Sequence, residues 1–251
     1  MMNYTNTTTE LSDSQIDTAI ISVGATEQFG PCLPMHLDTL IAEQYAQAYG
    51  IELNAYVLPT LPFNTSEEHA HFKGTVTVSP NIITSMLEEI IVNLSRQGFN
   101  KFVLCNGHGG AYWESAFIKH INFKYPDLIL IHPHHNRNAW EAAIHSAGLE
   151  GLNELHGGLL SVCTAMWLCP DKVKLHSMGS DIPQGYIKFA DFMGWEKLTT
   201  DGCWGLFNLG DFISEELALK GKVFWETFIQ HKCEGLKDLL VEAFLKKTNR
   251  V

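Results

Sequence analysis

The chain contains no CxxC pair. Its six cysteines, Cys32, Cys105, Cys163, Cys169, Cys203 and Cys233, are scattered, and several fall in apolar segments. A thiol in such a place is a small core residue rather than half of a disulfide, so a reduced, cytoplasmic setting is expected. Long apolar runs are missing too, and none approaches the length that crosses a bilayer. Positive charge is scarce: 17 Lys and Arg against 28 Asp and Glu leave a formal net charge of −11. That balance argues against nucleic acid or an anionic membrane surface as the main partner. Residues 1–14 are polar, rich in Thr and Asn, and lack the basic start and apolar middle of a secretory signal. No internal repeat or low-complexity linker is visible, so the expectation is a single domain over 1–251 with 1–14 flexible. What is present suits a globular protein. Apolar residues make up 45% and charged residues 18%, and 251 residues can bury a large core as one α/β domain.

Strand and helix signals alternate along the chain. Thr18 to Val23 is a buried-type strand, and Asp38 to Tyr49 has helical spacing at Leu40, Ile41, Tyr45 and Ala48. Ala55 to Leu58 is a second short strand. Ser79-Pro80 opens the clearest helix, with Ser as cap and Pro in the first turn, and Gly98 stops it. Lys101 to Cys105 is a strand, Tyr112 to Lys124 a helix, Leu128 to His132 a strand, and Ala139 to Ser146 and Leu159 to Leu168 helices. Repeated units of this length predict a three-layer αβα sandwich around a mostly parallel sheet. The stretch from His176 to Gly210, rich in Gly, aromatics and Asp, reads as a long loop region over one sheet edge. Within it, Tyr186 to Phe207, with Trp195 and Trp204, is expected to shape a pocket. Glu215 to Phe244 returns to helix.

The chemistry concentrates at strand ends. Asn106-Gly107-His108-Gly109-Gly110 follows the Lys101 to Cys105 strand, so His108 stands on a glycine loop at the sheet edge where open α/β folds place ligands. Glu27 lies just past the first strand, and Asp38 opens the next helix, where it also reads as an N-cap. Two carboxylates and an imidazole from separate strand ends form a mixed O/N set suited to Zn, Mn or Fe.

These residues carry a family resemblance. Glu27-Gln28-Phe29-Gly30-Pro31-Cys32-Leu33-Pro34-Met35-His36-Leu37-Asp38 resembles the metal-binding signature of the creatininase family, an E-Q-H-G-P-H-L-P-x-x-x-D pattern. Asn106 to Gly110 is similar to its N-G-H-G-G signature. Glu68-His69 with Phe72 to Pro80 resembles its E-H-x-x-F-x-G-T-x-x-x-S-P stretch. His156-Gly157-Gly158 falls where the family has a histidine-glycine motif opening a helix. Gly202 to Gly205, and Gly210-Asp211 through Gly221-Lys222, look like its closing element. The resemblance runs from about residue 18 to 245. It implies a creatininase-like fold, often a homohexamer, and a two-metal centre that hydrolyses an amide or cyclic amidine bond in a small molecule.

The departures sharpen this expectation. The family's second histidine is Phe29 here, and a phenyl ring cannot ligate a metal. The family's other ligand of that metal is a glutamate, and the matching positions hold Gly110, Leu159 and Ser161. The resemblance therefore implies one divalent ion per subunit, held by Glu27, Asp38 and His108, with His156 as the catalytic proton shuttle. Extra ligands could come from His36 or from Cys32, which also reads as a buried thiol beside Phe29. His69 and His71 would share one face if their run is extended, and His132, His134 and His135 read as a surface cluster. The competing reading is an inactive family member that binds a ligand or serves as an assembly subunit.

Overall fold

A computed structural model describes residues 1–133, 137–152, 154–175, 187–190, 192–205 and 213–248. Five strands form one parallel sheet: β1 (Met2–Asn3), β2 (Thr18–Val23), β3 (Tyr56–Val57), β4 (Lys101–Asn106) and β5 (Ile129–Ile131), in the order β1-β3-β2-β4-β5. The centre of the sheet is apolar on both faces, as a parallel sheet covered on both sides requires. Registry pairs Ile20 with Val103 and Ile21 with Leu104. Ile20, Val103 and Ile131 point to one core, and Ala19, Ile21, Phe102, Leu104 and Leu130 to the other.

Helices cover both faces. The Ile20 side carries α2 (Leu37–Leu53), α5 (Arg137–Ser146), α6 (Leu159–Leu168), α7 (Ser214–Cys233) and α8 (Leu236–Thr248). The Ile21 side carries α3 (Pro80–Ser95) and α4 (Glu114–Lys124). This is the three-layer αβα sandwich expected from the alternation of elements. Each fully buried Ile or Leu in these two cores contributes about 1.5–3 kcal/mol.

Several local expectations change. Residues 1–14, read as a flexible lead-in, carry β1, which pairs with β3, and α1 (Thr8–Asp13), whose Thr7 and Glu10 form a reciprocal capping box. Ser79 precedes α3 but makes no side-chain cap bond; Pro80 alone marks the start. The single helix read over Glu215 to Phe244 is two, α7 and α8, broken where Gly235 takes φ +70°. An antiparallel ribbon of β6 (Glu154–His156) and β7 (Trp204–Gly205) stands apart from the sheet and pairs His156 with Trp204.

The topology fixes where a site can form. From β2 the chain passes through α2 to β3 on one side, then returns to β4 on the other side of β2. Helix α2 covers one face and α4 the opposite one, so a crevice opens between the carboxyl ends of β2 and β4. Open α/β sheets hold ligands at such a switch point.

Candidate metal centre

Glu27 leaves the end of β2, Asp38 is the second residue of α2, and His108 follows β4; all three are buried. His108 Nδ1 lies 3.1 Å from Asp38 Oδ2 and 3.2 Å from Glu27 Oε2. The other ring nitrogen settles the tautomer. His108 Nε2 is 2.6 Å from the Thr65 carbonyl, which can only accept, so Nε2 carries the proton. Nδ1 is thereby turned to two carboxylates. Asp38 is not spent as a helix cap, since α2 makes no side-chain cap bond at its N-terminus and the Asp38 carboxylate faces His108.

Electrostatics gives this triad an appetite for positive charge. Burial opposes a charge on His108, yet Glu27 and Asp38 outweigh it and hold its pKa well above the ordinary histidine range. Burial also pushes the Asp38 carboxyl up. Both directions mean that a buried anionic cluster holds a proton tightly, and the same field attracts a divalent cation. Glu27 Oε2 is buried, and its 3.2 Å approach to His108 Nδ1 is not a well-formed hydrogen bond. A buried carboxylate oxygen left in this state is costly unless something completes it. Two carboxylates and one imidazole nitrogen are the donor types that suit Zn, Mn or Fe, so the residues fit a divalent ion.

The surrounding loop is held by polar contacts. Asn106 Oδ1 accepts from His108 N at 3.1 Å and from Asn64 Nδ2 at 3.2 Å, Thr65 Oγ1 donates to Gly110 O at 2.8 Å, and Trp113 Nε1 donates to Asn64 Oδ1 at 3.0 Å. Two glycines are required by space. A Cβ on Gly107 would overlap the Asp38 carbonyl, so this loop can lie against the first turn of α2 only without a side chain. A Cβ on Gly110 would overlap Glu68 Oε1 and His108 Nε2. Glu68, half-buried with its carboxyl pushed up by burial, thus fills the space a side chain at 110 would occupy.

A second group of donors meets the same glutamate. Among the described residues, Glu27, His69 and His156 form the other set of His, Cys, Asp or Glu side chains close enough to share an ion. Glu27 Oε1 is 3.6 Å from His69 Nε2 and 3.8 Å from His156 Nδ1. The rings of Phe29, His156 and His69 stack in that order, with centroids 4.2 and 4.3 Å apart, and the Trp195 ring stands edge-on to both histidines. Burial pushes the pKa of His156 down, and pushes His69 down to about 2, so both rings are neutral.

The remaining sequence candidates separate. His36 is exposed at the start of α2, and Cys32 is buried with its thiol pushed up to about 11 by burial; neither joins a donor group. His69 and His71 do not share a face, because Glu67–His69 is a 3-10 turn rather than extended chain; His69 goes inward, while His71 is exposed beside Glu196. His132 Nδ1 faces Glu114 Oε1 at 3.2 Å. His134, His135, Tyr186, Phe207, Gly210 and Asp211 lie outside the described residues. The sequence set His69 beside His71 on one face rather than at Glu27; the signal available was its place in the Glu68-His69 motif.

Both donor groups line one cavity of about 930 Å³. Trp195 walls it near the histidines. It extends past Tyr45, Trp225 and Phe228 to Lys232, whose ammonium sits 5.2 Å from the Phe228 ring centroid. The aromatic-rich stretch expected to shape the pocket does so at least through Trp195.

The sequence profile of the creatininase family, described as creatinine amidohydrolase, matches residues 2–235. The chain belongs to the creatininase family. Its fold is similar to that of a solved creatinine amidohydrolase (creatininase), with a TM-score of 0.75 at 20% identity, covering 95% of this chain and 98% of that one. It is equally similar to a manganese creatininase, with a TM-score of 0.75 at 19% identity and the same coverage of 95% and 98%. Among curated relatives, a mycofactocin precursor peptide peptidase of Mycolicibacterium smegmatis is 35% identical over 106 residues, 39% of this chain and 41% of that protein. The creatinine amidohydrolase of Pseudomonas putida is 31% identical over 104 residues, 39% of each chain. A 2-amino-5-formylamino-6-ribosylaminopyrimidin-4(3H)-one 5'-monophosphate deformylase of Methanococcus voltae is 34% identical over 101 residues, 39% of this chain and 38% of that protein. The matched segment thus spans about two fifths of the length of these curated relatives. Within this creatininase fold, the positions that lack donors, Phe29 and Gly110, are filled by a ring stack and by the Glu68 carboxylate.

Proposed function

We propose that this creatininase-family chain is a metal-dependent hydrolase of a non-peptide amide or cyclic amidine C–N bond in a small molecule. Glu27, Asp38 and His108 would hold one divalent ion, Zn, Mn or Fe. The observation that carries the reading is His108 Nδ1, turned to the two buried carboxylates of Glu27 and Asp38. The relatives named creatinine amidohydrolase and deformylase support the reaction class, and manganese and zinc forms among the solved creatininases support the cofactor. The same reading includes a homo-oligomer, hexameric by resemblance, in a cytoplasmic setting.

When bound, the ion supplies a Lewis acid and a water acidified toward neutrality. The chain's own residues supply the rest. His156 Nε2 donates to the Gln28 carbonyl at 2.5 Å, so its Nδ1 presents a lone pair to the cavity. A neutral imidazole oriented in this way takes a proton from the attacking water and returns it to the leaving nitrogen. Phe29 and His69 cover the two faces of the ring, and Trp195 stands edge-on beside it.

A ligand-binding or assembly subunit without turnover is the competing reading, favoured by the loss of donors at Phe29 and Gly110. Elemental analysis of protein purified without chelator separates the two. One divalent ion per chain, lost in His108→Ala while the circular dichroism spectrum is kept, supports the hydrolase. No bound ion, with a melting temperature indifferent to added zinc or manganese, overturns it.

A further inference from the structure

We infer that His69 is not a metal ligand but a fixed N–H donor that stabilises the substrate's carbonyl oxygen as it gains charge, in the part of the site where Phe29 and Gly110 leave no second ion. The inference rests on the single-ion hydrolase reading and extends it to a second catalytic residue.

The hydrogen bonds around Gln28 decide the tautomer. Its Oε1 accepts from the Gly30 N–H at 2.7 Å, and its Nε2 donates to the Gly202 carbonyl at 3.0 Å. A backbone donor on one side and a backbone acceptor on the other fix the orientation of the carboxamide, because a flip would break both bonds. The second proton of the same Nε2 then points to His69 Nδ1, 2.9 Å away. Nδ1 must accept, so the ring proton sits on Nε2. A protonated nitrogen has no lone pair to give a metal. Geometrically Glu27, His69 and His156 resemble a ligand set, but the tautomer of His69 removes it from that role.

What His69 offers instead is an N–H. Its Nε2 is 3.6 Å from Glu27 Oε1, outside hydrogen-bonding distance, and the residue lines the cavity. The adjacent stacked ring, His156, is in the opposite tautomer, with Nε2–H given to the Gln28 carbonyl and Nδ1 open. Gln28 thus sets both rings, one through its side chain and one through its backbone. One ring donates and the other accepts, and both stand beside the same oxygen, Glu27 Oε1.

In amide hydrolysis the two roles are complementary. Water loses a proton to His156 Nδ1 as its oxygen bonds to the carbonyl carbon. The π pair of the C=O bond moves onto the carbonyl oxygen, where His69 Nε2–H meets it. That pair returns to re-form the carbonyl as the C–N bond breaks, and the nitrogen departs with the proton from His156. Acid and amine are released, one water is consumed, and His69 is unchanged. Donors preorganised for such an oxygen are worth about 10²–10³ in rate.

Long-range ¹H–¹⁵N spectra of the full chain, titrated with zinc and then with acetate as a carboxylate probe, test this. Expected are Nε2–H and unprotonated Nδ1 at His69, one zinc per chain, zinc-induced shifts at His108 but not at His69, and an acetate affinity about tenfold weaker in His69→Phe. That variant keeps a ring in the stack and leaves zinc stoichiometry at one. Two zinc ions in the wild type falling to one in His69→Phe, a bare Nε2, or equal acetate affinity in the two proteins would overturn the inference. Absence of zinc altogether, with the Nε2–H tautomer observed, would sink the single-ion reading instead.

Discussion

The Gln28 carboxamide donates to His69 Nδ1 at 2.9 Å and cannot turn over, because Gly30 and Gly202 hold its two ends. One amide therefore decides which nitrogen of a buried imidazole carries a proton. Gln28→Glu should reverse that decision. A carboxylate accepts where the amide donated, so the proton of His69 moves to Nδ1, and Nε2 turns a lone pair to Glu27 and His156. Metal content is expected to rise from one ion per chain to two. The new oxygen faces the Gly202 carbonyl without a proton between them, which costs roughly 1–3 kcal/mol of stability. Elemental analysis and urea denaturation read the two effects.

Gly110→Ala should weaken metal binding without removing any ligand. The added Cβ has to displace Glu68 Oε1 or the His108 ring, and moving the ring strains the His108–Thr65 bond that fixes its tautomer. Loss of an orienting partner of a ligating histidine typically costs 10–100-fold in affinity, and a loss in that range is the expected outcome in competition with a chelating dye. Gly109→Ala is the control, since a Cβ there meets nothing within 4 Å.

Phe29→Leu should loosen His156 rather than unfold the protein. The Phe29 ring is 5% exposed and stacks on His156 at 4.2 Å. An aromatic pair of this kind contributes about 0.5–1.5 kcal/mol beyond its buried area. The expected signature is a melting temperature a few degrees lower and a broadened His156 ring resonance, with metal content unchanged. Loss of the bound ion in this variant would show that Phe29 supports the Glu27 triad directly.

How much of this was legible beforehand follows from sequence separation. The sandwich was visible because its strands are continuous apolar runs and its helices carry apolar stripes, both properties of neighbouring residues. Glu27 and His108 were legible as residues just past the strands β2 and β4, where the sheet edge must lie, and Asp38 as the residue that opens the next helix. His69 was not, because its direction depends on a 3-10 turn with no periodic signal. Nor was the role of Gln28, whose amide partners lie 41 and 174 positions away. The break at Gly235 and the missing cap at Ser79 were hidden for a different reason. A glycine or a serine permits a local conformation without imposing it.

Glu154→Gln should flatten a pH dependence of stability. Glu154, at the start of β6, accepts from the Leu160 N–H at the head of α6, at 3.1 and 3.3 Å from its two oxygens. The helix end favours its charge, but burial wins and pushes the carboxyl up to about 7. The sign follows from proton binding. The folded chain holds this proton more tightly than the unfolded chain, whose carboxyl titrates near 4.5. Below that value the group costs nothing. As pH rises toward 7 the folded state must give up a proton it binds tightly, stability falls, and above 7 the loss is constant. A shift of this size corresponds to roughly 3 kcal/mol as an upper bound, because the side chain is partly exposed. Glutamine keeps an oxygen for the Leu160 N–H and has nothing to titrate. Urea denaturation at pH 5 and pH 8 is therefore expected to show the wild type losing stability between the two, and the variant losing less and exceeding the wild type at pH 8. A variant as pH-sensitive as its parent would place the titration elsewhere and leave the Glu154 carboxylate ionised at the head of α6.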